Sequence, residues 1–247
     1  MHRFYIPATE WNPDQLLLNP EESHHALDVL RLERGQRVVV FNGLGTEITA
    51  EIVETAKNGV ILKAQQTART PRLNATITLG QAIPKGKNMD FIVQKATELG
   101  AAIIAPLLSE RTVVQIDVAD SDKKRAKWQE VVIEAAKQCG QNWLPEIARP
   151  LTPKAFFEQG TRYDLMLIAS LQPDARGLKR ILAEVEKETG KLPGSVLILV
   201  GPEGDFTPAE IALAKSHGCR PITLGPIVLR TETASLYCLS VLAHELF

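Results

Sequence analysis

The pattern of apolar and polar positions changes character near residue 70. Before it, "RVVVFNGLGTEITAEIVETAKNGVILKAQQ" gives three strand-like runs. Asn42-Gly43 and Asn58-Gly59 separate these runs, and both dipeptides favour hairpin turns. A short helix precedes them, with Asn19 as N-cap, Pro20 at the first position and acidic Glu22 at the third; His24 to Leu32 follow. "QTARTPRLNA" has no apolar period and carries a proline, so a domain boundary is expected within residues 68–74. That divides the chain into a small β-rich domain, 1–72, and a larger one, 73–247.

Beyond the boundary strands and helices alternate. "ATITLGQAI", "AAIIAPLLS", "DLMLIAS", "SVLILVG" and "CRPITLG" read as strands. "KNMDFIVQKATELG" (stopped by Gly100), "DKKRAKWQEVVIEAAKQCG", "RGLKRILAEVEKETG", "TPAEIALAKSHG" and "TETASLYCLSVLAHELF" read as helices. Such alternation, with continuously apolar strands, predicts an α/β layer whose mostly parallel sheet is covered on both faces. Ligands of these sheets bind beyond the carboxyl ends of the strands.

Three strand ends stand out: Ser170-Leu171-Gln172, Gly201-Pro202-Glu203-Gly204, and the run from Gly225 to Arg230. Glycine admits a ligand close to the backbone, and proline stiffens the turn. Thr207-Pro208-Ala209-Glu210 reads as a capping box that starts the next helix sharply. Thr231 or Thr233 is expected to cap the last helix. The apolar stripe of that helix (Leu236, Leu239 and Leu242) suits either a subunit interface or burial within the chain.

Composition excludes more than it assigns. Of 247 residues, 45% are hydrophobic and 23% charged, as in a soluble globular protein. The net charge is −1; residues 1–72 carry 8 Lys/Arg and 9 Asp/Glu, leaving 20 of each for the rest, so a polyanion site must be a local patch. Two local sets of cations qualify: His2, Arg3, Arg31, Arg34 and Arg37, and then Arg69, Arg72, Lys85 and Lys87. Cys139, Cys219 and Cys238 have no ligand spacing, so no metal and no disulfide is expected, and buried thiols in a reducing cytoplasm are. "MHRFYIPATEW" lacks the apolar stretch of a signal peptide, no run reaches a membrane span, and a cytoplasmic protein is expected. "GQAIPKGKN" misses the P-loop pattern, no G-x-G-x-x-G follows a strand, and no nucleophile elbow occurs. A nucleotide-dependent hydrolase or kinase is thereby disfavoured.

"LVGPEGDFTPAE" followed by "ITLGPIVLRTETA", with "DFIVQKATELG", "ERT" and "EAAKQCGQNWLPEI" before them, resembles the RsmE family of bacterial ribosomal RNA methyltransferases. "MHRFYI" and "HHALDVLRL" extend the resemblance over essentially the whole chain. It implies a SPOUT-class α/β domain threaded as a trefoil knot behind a PUA-like β-barrel that helps bind RNA. It further implies a homodimer that uses S-adenosylmethionine (SAM) to methylate N3 of one uridine in 16S rRNA of the small ribosomal subunit. A methyltransferase for another RNA, or a non-enzymatic RNA-binding protein, is the alternative.

Carried onto this sequence, the resemblance places the cofactor against Ser170, Leu171, Leu199, Val200, Gly201, Pro202, Glu203, Gly204, Leu224, Gly225, Leu229, Arg230, Thr231, Thr233 and Ala234. Uridine N3 is a poor nucleophile until its proton leaves, so the chemistry calls for a base or a cation that stabilises the uracil anion. Arg230 and Glu232 are expected near the reaction, with Asp205 a further candidate carboxylate and Glu203 more a loop organiser than a base. Arg3, Arg31, Arg34, Arg69, Arg72, Lys85, Lys87 and Arg111 are the expected RNA contacts. Two positions depart from many family members: Asp205 stands where a second glycine is usual, and Gln141 where an arginine is. A cationic contact is then missing or supplied elsewhere, for instance by Arg111.

Overall fold

Asn42 builds the first hairpin turn, its Oδ1 accepting from the Leu44 and Thr46 N–H groups at 2.8 and 3.2 Å. Gly43 and Gly45 take left-handed φ there, 72° and 87°. The computed structural model describes residues 1–56, 59–112 and 118–247, so Asn58 of the second expected turn lies outside the described residues. Two compact units form: Met1–Arg72 with Ile133–Leu144, and Leu73–Val132 with Pro145–Phe247.

In the first unit, β1 (Arg3–Tyr5), β2 (Leu16–Leu17), β3 (Arg37–Phe41), β4 (Thr46–Ala56) and β5 (Gly59–Arg69) make a sheet in the order β1-β3-β4-β5-β2. It is curled as a half-barrel, with β1 and β3 parallel and the other pairs antiparallel. Helix α1 (Pro20–His24) is capped by Asn19, whose Oδ1 accepts from the Glu22 N–H at 2.8 Å. The expected helix to Leu32 is cut short. Residues His25–Val29 widen into a π turn, and Arg31 turns back at φ 54°. Leu27, Leu30 and Leu32 pack on this unit's apolar core, which accounts for the early turn.

The 133–144 segment closes on the same unit. Lys137 meets Glu22 at 2.6 Å with both side chains nearly buried (10% and 8% exposed). Burial opposes the charge on Lys137, yet the hydrogen bonds to Glu134 and Glu22 outweigh it and hold its pKa above the usual lysine value. Arg3 donates to Glu47 at 2.8 Å and to Asn142 at 2.6 Å. Gly45 is required, because a Cβ there would sit 2.4 Å from the Trp143 ring.

In the second unit all strand pairs are parallel. The strands are β6 (Thr76–Ala82), β7 (Ile103–Leu107), β8 (Glu146–Ile147), β9 (Leu165–Ala169), β10 (Arg176–Gly177), β11 (Ser195–Val200) and β12 (Arg220–Thr223). Their order is β10-β12-β9-β11-β6-β7-β8. The helices are α2 (Asn88–Glu98), α3 (Val118–Cys139, whose last turns belong to the first unit), α4 (Pro153–Glu158), α5 (Leu178–Thr189), α6 (Pro208–Ser216) and α7 (Thr231–Leu246). Phe156 of α4 and Ile211 of α6 pack on the sheet face that carries Leu197 and Leu199. Helix α7 packs against α2, β6 and β11. Its Leu239 and Leu242 are fully buried within the chain and Leu236 is half-buried.

Cys219 and Cys238 are buried, and burial pushes each thiol up to about 12. Cys139 is exposed, contrary to the expectation of three buried thiols, because it ends α3. Among the described residues no helix is long and apolar enough to cross a membrane.

Removing one partner of a buried ion pair strands the other charge. Lys137→Met is therefore expected to lower the unfolding free energy by about 3 kcal/mol, read from urea denaturation. An unchanged denaturation midpoint would show that the pair does not stabilise the first unit.

Candidate functional site

The strand order decides where a ligand can sit. The two Gly-Pro strand ends follow one another in the chain, but β9 lies between β11 and β12 in the sheet. The carboxyl ends of β12, β9 and β11 are thus three neighbours, and their loops enclose a cavity of about 300 Å³. Ala169, Ser170 and Leu171 form its floor at the carboxyl end of β9, and Val200 to Glu203 with Asp205 one wall at that of β11. Leu224, Gly225 and the run from Ile227 to Thr231, with Ala234, form the other.

Each wall is held by named bonds. Glu203 Oε1 accepts from the Lys85 N–H at 2.9 Å, joining the loops after β6 and β11. Arg111 donates to the Gly204 carbonyl at 2.5 Å from the loop after β7. The Thr207 capping box is present, and its Glu210 also accepts from the Glu110 N–H at 2.9 Å. Thr231 does not cap α7. Its hydroxyl donates instead to the Gly201 carbonyl at 2.6 Å, and Arg230 stands at the N-cap without a side-chain bond.

The two glycines have different reasons. A Cβ on Gly201 would crowd Asp205 Oδ1 at 3.0 Å and Phe206 N at 3.1 Å, so the loop's own closure demands glycine. Gly225 has open space, but its φ of 116° excludes a side chain. Asp205 also sits at positive φ, 61°, a region that Asp and Asn tolerate better than most residues. Its Oδ1 accepts from the Phe206 N–H at 2.7 Å. Burial raises the Asp205 carboxyl above its ordinary value; the Phe206 bond and the Arg111 charge offset this only in part.

Most expected cofactor residues converge on the cavity. Three do not. Leu199 is buried in the core, Gly204 lies against Arg111, and Thr233 faces outward on α7. Arg230 and Glu203 line the cavity, whereas Glu232, half-buried in the first turn of α7, does not. Ala169, Ile227 and Val228 line it without having been named as cofactor contacts, although the last two lie in the run from Gly225 to Arg230. Ile227 and Val228 are 74% and 71% exposed, and an apolar pair between Gly-Pro and Arg was the available signal.

The expected RNA contacts divide between the units. Arg31, Arg34, Arg69 and Arg72 are in the first, and Lys85, Lys87 and Arg111 in the second. Arg3 is largely buried and engaged by Glu47 and Asn142, so it is not a free surface cation. Arg72 stacks on Trp143 with 4.0 Å from guanidinium carbon to ring centre. Gln141 accepts from the Trp143 N–H at 3.1 Å, within the first unit. Among the described residues no three His, Cys, Asp or Glu side chains gather as metal ligands.

Comparison with known proteins adds a family to this geometry. A model of the RNA methyltransferase domain matches residues 71–243, and one of the RNA methyltransferase PUA domain matches residues 18–65. The chain is 32% identical to ribosomal RNA small subunit methyltransferase E of Synechocystis, over 92% of this chain and 74% of that protein. The chain belongs to the RsmE family. A methyltransferase of Legionella pneumophila, solved with the bound cofactor SAM, superposes with a TM-score of 0.88 at 37% identity, covering 98% of this chain and 97% of the other. Methyltransferase E of Neisseria gonorrhoeae, bound to SAM, does so with 0.85 at 30% identity, covering 99% and 98%.

Within this RsmE-family chain, Asp205 gives a pH-dependent prediction. A raised carboxyl pKa means stability that is fully present below the unfolded value, about 4, and lost as pH rises through the folded value. Asp205→Asn keeps an acceptor and tolerates the left-handed backbone. It is expected to melt about 1–2 °C above the parent at neutral pH, with the gain vanishing below about pH 4. Asp205→Ala should melt lower than both. A gain that grows toward acid pH would contradict the sign.

Proposed function

We propose that the chain is an SAM-dependent methyltransferase that methylates N3 of a uridine in 16S rRNA of the small ribosomal subunit. The observation that carries this is the cavity that three adjacent strand-end loops line in an RsmE-family chain. Its residues fit the cofactor. Leu171, Val228 and Leu229 offer apolar surface for an adenine, and the backbone at Val200–Gly201 and Leu224–Gly225 lies open to close approach. Arg230 suits a carboxylate or the developing uracil anion, and acidic Asp205 suits a sulfonium.

SAM, when bound, supplies an activated sulfonium methyl for in-line transfer. The chain must align N3 and take its proton. Glu203 is committed to the Lys85 N–H and shapes the loop. Asp205 lines the cavity with a raised pKa and is the better-placed proton acceptor; Glu232 does not reach the wall. Arg230 stabilises the negative charge left on the uracil. Lys85, Lys87 and Arg111 would hold RNA phosphates beside the cavity, and the exposed arginines of the half-barrel would bind flanking RNA.

The same reading takes residues 1–72 and 73–247 as the RNA-binding and methyltransferase domains. It includes a trefoil knot, a homodimer and a cytoplasmic location, where small subunits are found. A non-enzymatic RNA-binding protein would have no need of a cavity that three strand-end loops converge to line.

Calorimetry with SAM is expected to give micromolar binding, and small subunits lacking the modification should gain a methyl at uridine N3. Arg230→Ala should slow transfer about 100-fold. Transfer at the parent rate would remove Arg230 from the mechanism, and a methyl on another base would overturn the N3 assignment. RNA affinity should also fall by about tenfold or more between about 50 and 200 mM salt. A flat affinity would contradict the phosphate contacts.

A further inference from the structure

The cavity rests on a buried polar chain that the reaction does not use. Gln81 is fully buried, one residue before the end of β6, in register with Val200 of β11 and Pro106 of β7. A glutamine is out of place among the apolar residues of a central parallel strand, because each of its polar atoms must find a partner. Here they do. Nε2 donates to the Ala82 carbonyl at 2.8 Å and to Thr231 Oγ1 at 3.1 Å, and Oε1 accepts from the Ser235 hydroxyl.

These partners fix the orientation of the amide. Turned over, Oε1 would face the Ala82 carbonyl, acceptor against acceptor. With the amide set, Thr231 Oγ1 accepts a hydrogen bond from Gln81, so its own O–H is free to donate to the Gly201 carbonyl at 2.6 Å. Direction therefore runs one way, from Gln81 through Thr231 to Gly201.

Gly201 is a sensitive end point. The Gly201–Pro202 peptide has no N–H, and its one carbonyl is taken by Thr231. Ser235, fully buried one turn further along α7, also lies 2.9 Å from the Thr231 carbonyl and ties the first turn of that helix to the same amide. Both cavity walls, 200–205 and 224–231, thus refer to one side chain on a third strand. Neither Gln81 nor Ser235 lines the cavity.

We propose that Gln81 is a positioning residue for the cofactor: through Thr231 and Ser235 it holds the Gly201 loop and the start of α7 at the spacing the ligand requires. This rests on the reading of the cavity as an SAM site. A preorganised wall spares the ligand the cost of ordering it, so the effect belongs in cofactor affinity. A role limited to core packing would lower the melting temperature without singling out SAM.

The test titrates SAM into the full chain and follows methyl transfer to small subunits. Gln81→Met is expected to raise both the Kd and the KM for SAM about tenfold. Its kcat at saturating SAM and its KM for the subunit should stay within about twofold of the parent. Thr231→Val should weaken SAM binding to a similar extent, and Thr231→Ser, which keeps the hydroxyl, should restore it. Folded Gln81→Met that binds SAM like the parent would overturn the proposal. Should Gln81→Met not fold, the Thr231 pair decides, and equal affinity of the Val and Ser variants would overturn it. If the parent chain binds no SAM, the SAM reading itself fails, which the parent titration shows before any variant is compared.

Discussion

The hydrogen bond from the Thr231 hydroxyl to the Gly201 carbonyl joins the two segments that most need joining. Gly201 ends β11, Thr231 begins α7, and 30 residues separate them in the chain. Parallel strand order alone brings the ends of β12, β9 and β11 side by side. It does not set how far apart the loops beyond them stand. That spacing is set by a buried bond on the cavity wall, with Thr231 only 4% exposed.

Around this fixed point the loops are arranged by charge as well as by packing. Glu203 reaches the Lys85 N–H, Arg111 the Gly204 carbonyl, and Glu210 both its own helix start and the Glu110 N–H. The loops after β6, β7 and β11 are therefore tied to one another. Acidic groups are largely spent on backbone donors, while the side chains of Lys85, Lys87 and Arg230 are exposed. An anionic substrate would meet cations outside and a carboxylate of raised pKa within.

Much of this was legible in the sequence, for identifiable reasons. Continuous apolar strands alternating with amphipathic helices announced the parallel sheet, and Thr207-Pro208 announced its helix start. Thr152-Pro153 carries the same signal, but no helix was expected there, and α4 begins at Pro153. The very short β1, β2, β8 and β10 have too few residues for any period to show. Thr231 looked like a helix cap because capping is local, and its use in a contact 30 residues away is not. The role of Gln81 was hidden likewise: a buried polar residue shows in the sequence, but its partners appear only when β6 and α7 are packed. Glu232 was placed with Arg230 by proximity in the chain, yet the helix turns it off the cavity wall.

A crystal structure of the chain with SAM tests this arrangement most directly. SAM should lie in the cavity between residues 200–205 and 224–231, beside Ser170, with the Thr231–Gly201 bond intact. SAM bound elsewhere, or that bond broken to admit it, would contradict it.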